Sequence, residues 1–381
     1  MLIITVIVVS FLRLMLSDQN QATNANLAES ARNSALAGVE DAKRALLRYN
    51  EYCNTHSDAE CSALATTISA DVCNQAVRVG DVVSNDVESG GNGSQPGEIK
   101  VQQTYDSNDR LLDQAYTCVL LKLNTDDYIG VVGASATQII PLVGADDFDR
   151  VTIEWFSRDD LGSGTTTVSL ESTASSRLMQ STWPTTRPPV LRTQLIQFGD
   201  NFKLSDFDAM SGESSNTNSI FLYPTSNGTQ TVQSFTARDV RSGGVGEQAP
   251  ADAAIDTPLG VRCETSLSSG GYSCSATLVL PAPIGGGGRT AFLRLLPYYN
   301  ATHYRVTLSS GASATPVKFN AVQPEIDSTG RANNVFKRVA SRVDLYNIGS
   351  VFPNAAVDIS GNFCKDFSVT DVEYIAGTCT P

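Results

Sequence analysis

Carboxylates gather at two turn-like stretches, Asp146-Asp147-Phe148-Asp149 and Asp159-Asp160-Leu161-Gly162-Ser163-Gly164. Oxygen ligands of this kind suit calcium, but neither stretch has the spacing of an EF-hand loop, so both read as solvated loops. General acid–base work would fall to a histidine, and the chain has two, His56 and His303. His303 sits beside a strand and is expected to point to solvent rather than act as a base. Ser309-Ser310-Gly311 lacks the nucleophile-elbow pattern. The run Gly285 to Gly288 follows Pro283-Ile284 and does not link a strand to a helix, so it is no phosphate loop. No cysteine or histidine tetrad has zinc spacing. Three triplets, beginning at Asn92, Asn227 and Asn300, match glycosylation acceptors, a pattern frequent by chance. The expectation is a protein that is not an enzyme and holds no cofactor or metal.

The stretch from Met1 to Leu16, MLIITVIVVSFLRLML, carries thirteen large apolar residues among its sixteen, the exceptions being Thr5, Ser10 and Arg13. No Gly or Pro interrupts it, so nothing local stops a helix. At about 1.5–3 kcal/mol per large apolar side chain, its burial is worth up to about 20–40 kcal/mol. A whole domain is stable by only about 5–15 kcal/mol. The segment is therefore expected in lipid, or in a core built from other chains. A secretory signal would need a basic start and a small-residue cleavage site; no Lys or Arg precedes Arg13, and Ser17-Asp18-Gln19-Asn20 is a poor site. A permanent anchor wants about 20 apolar residues, whereas sixteen span about 24 Å, with Arg13 able to snorkel.

From Leu27 to Tyr49 the pattern becomes one-sided: Ala28, Ala31, Ala35, Val39, Ala42, Leu46 and Tyr49 recur at spacings of three and four. The stripe is rich in Ala, so a neighbour can approach closely. Glu40–Arg44 and Arg44–Arg48 are expected as outward i,i+4 pairs, one attractive and one repulsive. Helix signals persist to about Tyr52, a rod of about 78 Å if continuous.

Ala35-Leu36-Ala37-Gly38-Val39-Glu40-Asp41-Ala42 resembles the AAEAGxxxA stretch of PilX-type pilus assembly proteins. With the rod it gives the chain, over roughly its first 50 residues, the look of a mature type IV pilin. The resemblance implies a leader removed by a prepilin peptidase and a methylated Met1. It implies a helix held in the inner membrane and then packed into a helical polymer of identical or related subunits. The filament-assembly residues it points to are Met1, Thr5, Val8, Phe11 and Arg13. Pilins usually carry Glu at the fifth position, paired with a neighbour's terminal amine; Thr5 has no charge, so the amine needs another partner. Arg13 adds a charge that needs a carboxylate or water when buried. Thr5, Ser10 and Arg13 fall within an arc of about 140°, expected to face other subunits. The family's proline near position 22 is replaced by Ala22. Ser17 to Asn26, rich in weak helix formers, is expected to melt or stretch in the assembled state. The C-terminal stretch Gly361 to Pro381 resembles the disulfide-bounded loop of many pilins, closed here by Cys364–Cys379.

The chain of 381 residues has a formal charge of −13. The rod holds five basic and five acidic residues, so the excess lies in the head. That argues against nucleic-acid binding by bulk charge and suits an extracellular surface. The eight cysteines are even in number, with no CxxC, and read as disulfides of an oxidising compartment. Cys263 pairs with Cys274 across a hairpin. Cys53, Cys61, Cys73 and Cys118 allow three connectivities, of which Cys53–Cys61 and Cys73–Cys118 are preferred.

After the helix (1–52) comes a connector (53–114), with a short helix over Cys61–Val77 and a flexible loop over Ser84–Gly97. Strands are expected at Tyr116–Leu123, Thr137–Leu142, Val151–Trp155, Leu191–Phe198, Ser219–Tyr223, Val261–Thr265, Tyr272–Leu280, Ala291–Leu296 and Tyr304–Leu308, making a head over 115–316. Val317–Val322 and Asn333–Leu345 complete a C-terminal β segment, 317–381. The fold class is α+β: a long hydrophobic N-terminal α-helix followed by a large, mostly antiparallel β head, sandwich-like or jelly-roll-like and stapled by disulfides. Two partitions stay open, a sheet like that of the pilins made of residues near 115–125 and 317–372 with a sandwich inserted, or everything after 115 as one sandwich. The function this suggests is a structural subunit of a type IV pilus, at the inner membrane before assembly and on the surface afterwards. Its head would serve attachment, motility or host contact. The alternative is a monomeric membrane-anchored adhesin.

Overall fold

The computed structural model describes residues 2–53, 55–69, 99–102, 114–162, 164–172, 183–198, 217–227, 232–234, 259–285 and 290–345, with backbone alone over 2–9, 117–118, 197–198, 217–219, 232–234 and 281–282 and at 58, 67, 100, 102 and 290. The chain divides into residues 1–346 and 347–381, and the second part lies outside the described residues. So do the Ser84–Gly97 loop and the C-terminal loop carrying Cys364 and Cys379.

Helix α1 runs unbroken from Leu2 to Cys53, consistent with the lack of Pro and with Gly38 as the one glycine in it. It continues through Ser17–Asn26, so in the single chain the weak helix formers there do not interrupt it. After a short turn, α2 (Asp58–Ile68) begins. Glu60 reaches back to accept from the backbone N–H and the hydroxyl of Ser57, at 3.1 and 2.8 Å, which supplies the start signal of a capping box. These bonds hold the Glu60 carboxyl below its usual range. A Cys53–Cys61 disulfide ties the end of α1 to α2. The second helix is shorter than the expected span to Val77; it ends at Ile68, and residues from Ala70 lie outside the described set.

Against α1 lies a four-stranded antiparallel sheet in the order β1 (Ile99–Gln102), β2 (Gln114–Thr125), β14 (Phe319–Ala332), β15 (Val335–Arg342). Val39, Ala42, Ala45, Leu46 and Tyr49 of the helix share a core with Ile68, Tyr116, Val119, Leu121 and Ile326.

The strands between β2 and β14 in sequence form two further sheets. The first runs β13 (Thr315–Val317), β12 (Thr302–Ser310), β5 (Phe148–Ser157), β10 (Tyr272–Ile284), β8 (Val232–Ser234), with β3 (Tyr128–Val132) also paired to β12. The second runs β4 (Gln138–Pro141), β11 (Thr290–Tyr298), β6 (Val190–Phe198), β7 (Thr217–Thr225), β9 (Leu259–Arg262). Pairing is antiparallel except β10 with β8 and β7 with β9. Val151, Ile153 and Trp155 of β5 alternate inward, as period-two patterning requires. They meet Leu191 and Leu195 of β6 and Leu293 and Leu295 of β11 in one core. This is a sandwich. Of the two partitions, the sheets follow the one with an inserted sandwich, since β2 belongs with β14 and β15 and the strands between them form the sandwich.

The C-terminal strands differ from the expected bounds. Asn333-Asn334 is the tip of a hairpin, β14 is fourteen residues long, and β15 stops at Arg342. β14 passes from the sandwich core, through Phe319 and Val322, to the helix core at Ile326. Between Asn320 and Glu325 its register breaks, with Ala321 at a positive φ of 52°. The break frees Gln323, 5 % exposed, to reach sideways. Its amide accepts from Ile129 N–H at 3.0 Å and donates to Ile129 C=O at 2.9 Å and to Asp344 Oδ1 at 2.9 Å. The two bonds to Ile129 are those that a residue on a neighbouring antiparallel strand would exchange. Arg342 adds a bond to Asp127 at 3.1 Å, so the helix-backed sheet and the sandwich are pinned at their junction.

Candidate functional site: the N-terminal helix

The lower half of α1 is a docking seam. Ala31, Ser34, Ala35, Val39, Ala42, Ala45 and Leu46 are buried on the sheet, at the spacings that make one helical face. Small residues on both sides bring backbone against backbone. A Cβ added at Gly330 of β14 would lie 2.1 Å from the Ala35 nitrogen and 2.2 Å from the Ala31 oxygen. A Cβ at Gly38 would meet the Ser328 hydroxyl at 2.4 Å and the Tyr116 ring at 3.1 Å. The seam thus accounts physically for the stretch Ala35 to Ala42. Ala35, Gly38, Val39 and Ala42 face the sheet, and Asp41 at its edge accepts from the Tyr116 hydroxyl at 2.7 Å. Burial first, then that bond, pushes the Tyr116 phenol far above its ordinary range.

The opposite face is polar. Its ion pairs are not those expected: Glu40 pairs with Lys43 at 2.7 Å and Arg44 with Asp41 at 3.1 Å. Both are i,i+3 contacts, in which Arg44 turns toward Asp41 at the seam edge instead of toward Glu40.

The upper half is open along its described side chains. Every residue from Ser10 to Asn26 is exposed. Phe11, Leu12, Leu14, Met15 and Leu16 each leave between 52 and 63 % of their surface open. Of the expected assembly residues, Phe11 and Arg13 are therefore on this open rod. Thr5 and Val8 lie on its helical backbone, and Met1 is outside the described residues. From Ser10 to Cys53 the helix is not apolar as a whole, and among the described residues no helix is long and apolar enough to cross a membrane.

Three of the residues whose types suggested chemistry, Asp149, Asp160 and His303, are engaged by the fold. His303 does not simply face solvent: its Nδ1 lies 2.7 Å from Asp160 Oδ1. Asp160 sits in a 3-10 turn (Arg158–Asp160) capped by Ser157. Its oxygens also accept the backbone N–H of Ser157 at 2.7 Å and of His303 at 3.0 Å. That leaves little of the carboxylate for a cation. Asp149 accepts the Gly311 N–H at 2.8 Å, closing a turn. Among the described residues no group of three or more His, Cys, Asp or Glu is placed to hold a metal. The amide nitrogen of Asn300, where a glycan would attach, donates to the carbonyls of Pro184 and Arg187, both at 2.8 Å.

Two features had no sequence signal because their parts are far apart in the chain. Trp183 stacks on Tyr299 at 4.7 Å with the Arg187 guanidinium 4.9 Å from its ring centre. A cleft of about 780 Å³ opens where Ser62 and Thr66 of α2 face Lys122, Asn124, Lys318 and Arg342. Its cations already have carboxylate neighbours: Lys122 with Glu325 at 4.0 Å, Lys318 with Asp126 at 3.7 Å, and Arg342 with Asp127. Cys263 and Cys274 are joined across the start of β10. Cys118 lies on β2, and Cys73 lies outside the described residues. Compared with protein-family models, curated proteins and solved structures, the chain matches none.

Proposed function

We propose that this chain is a structural subunit of a type IV pilus-like surface filament, polymerising through the upper half of α1 and presenting the β-rich head outward. The observation that carries the reading is the division of one helix into two regimes. One face of residues 31–46 is buried on the chain's own sheet, while five large apolar side chains within positions 11–16 are left open. Covering those five is worth up to about 7–15 kcal/mol per subunit, a driving force that only lipid or other chains can collect. The same helix can hold to a bilayer before assembly and pack among its copies afterwards. The disulfides and the junction bonds of Gln323 and Arg342 suit a subunit that bears load outside the cell.

The test is to shear surface filaments from cells and run them on a denaturing gel. A dominant band at the 40.6 kDa of this chain is expected, lost in Phe11→Asp and Val8→Asp variants that still accumulate in the membrane fraction. Filaments that persist in both variants would remove the helix from assembly. A monomeric adhesin held in the bilayer by the same exposed run is the second reading. It predicts membrane-bound chain and no fibre.

A further inference from the structure

Between residues 1 and 28 the sequence carries two charged side chains, Arg13 and Asp18. Both are exposed, and neither makes an ion pair or hydrogen bond among the described residues. They do not face each other on their own helix. Five positions at about 100° each put them about 140° apart around the axis and about 7.5 Å apart along it, whereas side chains pair along a helix at spacings of three or four. Yet Arg13 stands among Phe11, Leu12, Leu14, Met15 and Leu16, so whatever covers those side chains covers its guanidinium too. A charge taken into an apolar interior without a counter-charge is heavily penalised.

We infer that Arg13 of one copy pairs with Asp18 of a neighbouring copy of this chain. This rests on the filament reading and names the contact that sets its register. The planar guanidinium suits a carboxylate in a bidentate geometry. The placement of the two charges on well-separated flanks of one rod also fixes the kind of assembly. Each copy offers its cation to one neighbour and its anion to another, so the contact is head-to-tail. Contacts of that type propagate into rings or open helical polymers, whereas a two-fold dimer needs one self-complementary patch. Parallel helices joined this way are staggered by about 7.5 Å, adjusted by the reach of the arginine. Thr5 is uncharged, which leaves Asp18 as the one acidic side chain in this stretch of helix able to take the cation.

The experiment uses the full chain with Arg13→Asp, Asp18→Arg, the double exchange of both, and the two single variants expressed together. Sheared filament is measured against total subunit. Each single variant is expected to lower filament yield by at least about a hundredfold at unchanged subunit level, because both positions are exposed in the folded chain. The double exchange restores filaments. So does co-expression, since the carboxylate introduced by Arg13→Asp in one chain then meets the guanidinium introduced by Asp18→Arg in the other. Single variants that assemble like the wild type overturn the pairing. So does a double exchange no better than its parts, which would assign the two charges to other partners, a terminal amine included. A wild-type chain that forms no filament at all removes the filament reading itself, and this contact with it.

Discussion

Replacing Gly330 by alanine tests whether α1 really rests backbone-to-backbone on β14. The added Cβ would lie 2.1 Å from the Ala35 nitrogen, 2.2 Å from the Ala31 oxygen and 2.8 Å from the Ser34 carbonyl carbon. All three are main-chain atoms, so no rotamer change relieves the clash. Reaching an ordinary contact of 3.4 Å needs 3.4 − 2.1, or about 1.3 Å, of separation between helix and strand. A helix moves as a rod, so that lift also loosens Val39 and Ala42 along the same seam. Overpacking costs about 1–3 kcal/mol, and with backbone on both sides the upper end applies. Alanine's intrinsic advantage over glycine within a strand, about 0.5–1 kcal/mol, acts the other way. The net expectation is a loss of about 2 kcal/mol, or about 3 °C in melting midpoint for a unit of residues 1–346. The assay is thermal unfolding of the detergent-solubilised chain followed by near-ultraviolet circular dichroism. Gly162→Ala is the control: a Cβ there meets nothing within 4 Å, so it should be neutral or slightly stabilising. A Gly330→Ala protein as stable as the Gly162→Ala protein would refute the close seam.

The remaining predictions concern the junction, the disulfide and the buried phenols. In Gln323→Leu, which keeps volume but removes both bonds to Ile129, the Ile129 amide should exchange its hydrogen at least about tenfold faster while β5 amides stay protected. An equal rise in both strands would instead mean general loosening. Replacing Cys53 and Cys61 together by serine should destabilise the α1–α2 corner by about 2.5 kcal/mol on loop-entropy grounds, read as a lower urea midpoint; no change would mean the corner is held by packing alone. Burial raises the phenols of Tyr116, Tyr128, Tyr223 and Tyr304 above their ordinary value of 10.0. An acid whose folded value is raised keeps its proton while the unfolded chain loses it, so stability is full below about pH 10 and falls as pH rises beyond it. Alkaline titration followed by phenolate absorbance should show ionisation coinciding with loss of the near-ultraviolet dichroism. Ionisation of all tyrosines near their ordinary value in a folded protein would contradict the burial.

Local pattern carried much of this protein. The helix, its Ala-rich face and the change of regime near Leu27 are written in spacings of three and four, because which residues share a helix face depends only on neighbours within two turns. The alternation Val151, Ile153, Trp155 marks β5 for the same reason at period two. The docking sheet is one of the two partitions the sequence leaves open, and its strand β14 is marked only in part, at Val317–Val322. β14 holds Asn320, Gln323, Pro324, Glu325, Asp327 and Gly330 and has little apolar run to detect. Two of its polar residues are satisfied by groups that lie elsewhere in the chain, Gln323 by Ile129 194 positions earlier and Asp327 by Arg338 of the facing strand. His303 misled for a related reason: its partner Asp160 is 143 residues away. Sequence alone determined that one end of the rod must be covered by something apolar, since hydrophobicity belongs to the residues themselves. Only the tertiary structure decided that the other end is covered by the chain's own sheet, because a close approach depends on which glycine the fold brings opposite which alanine.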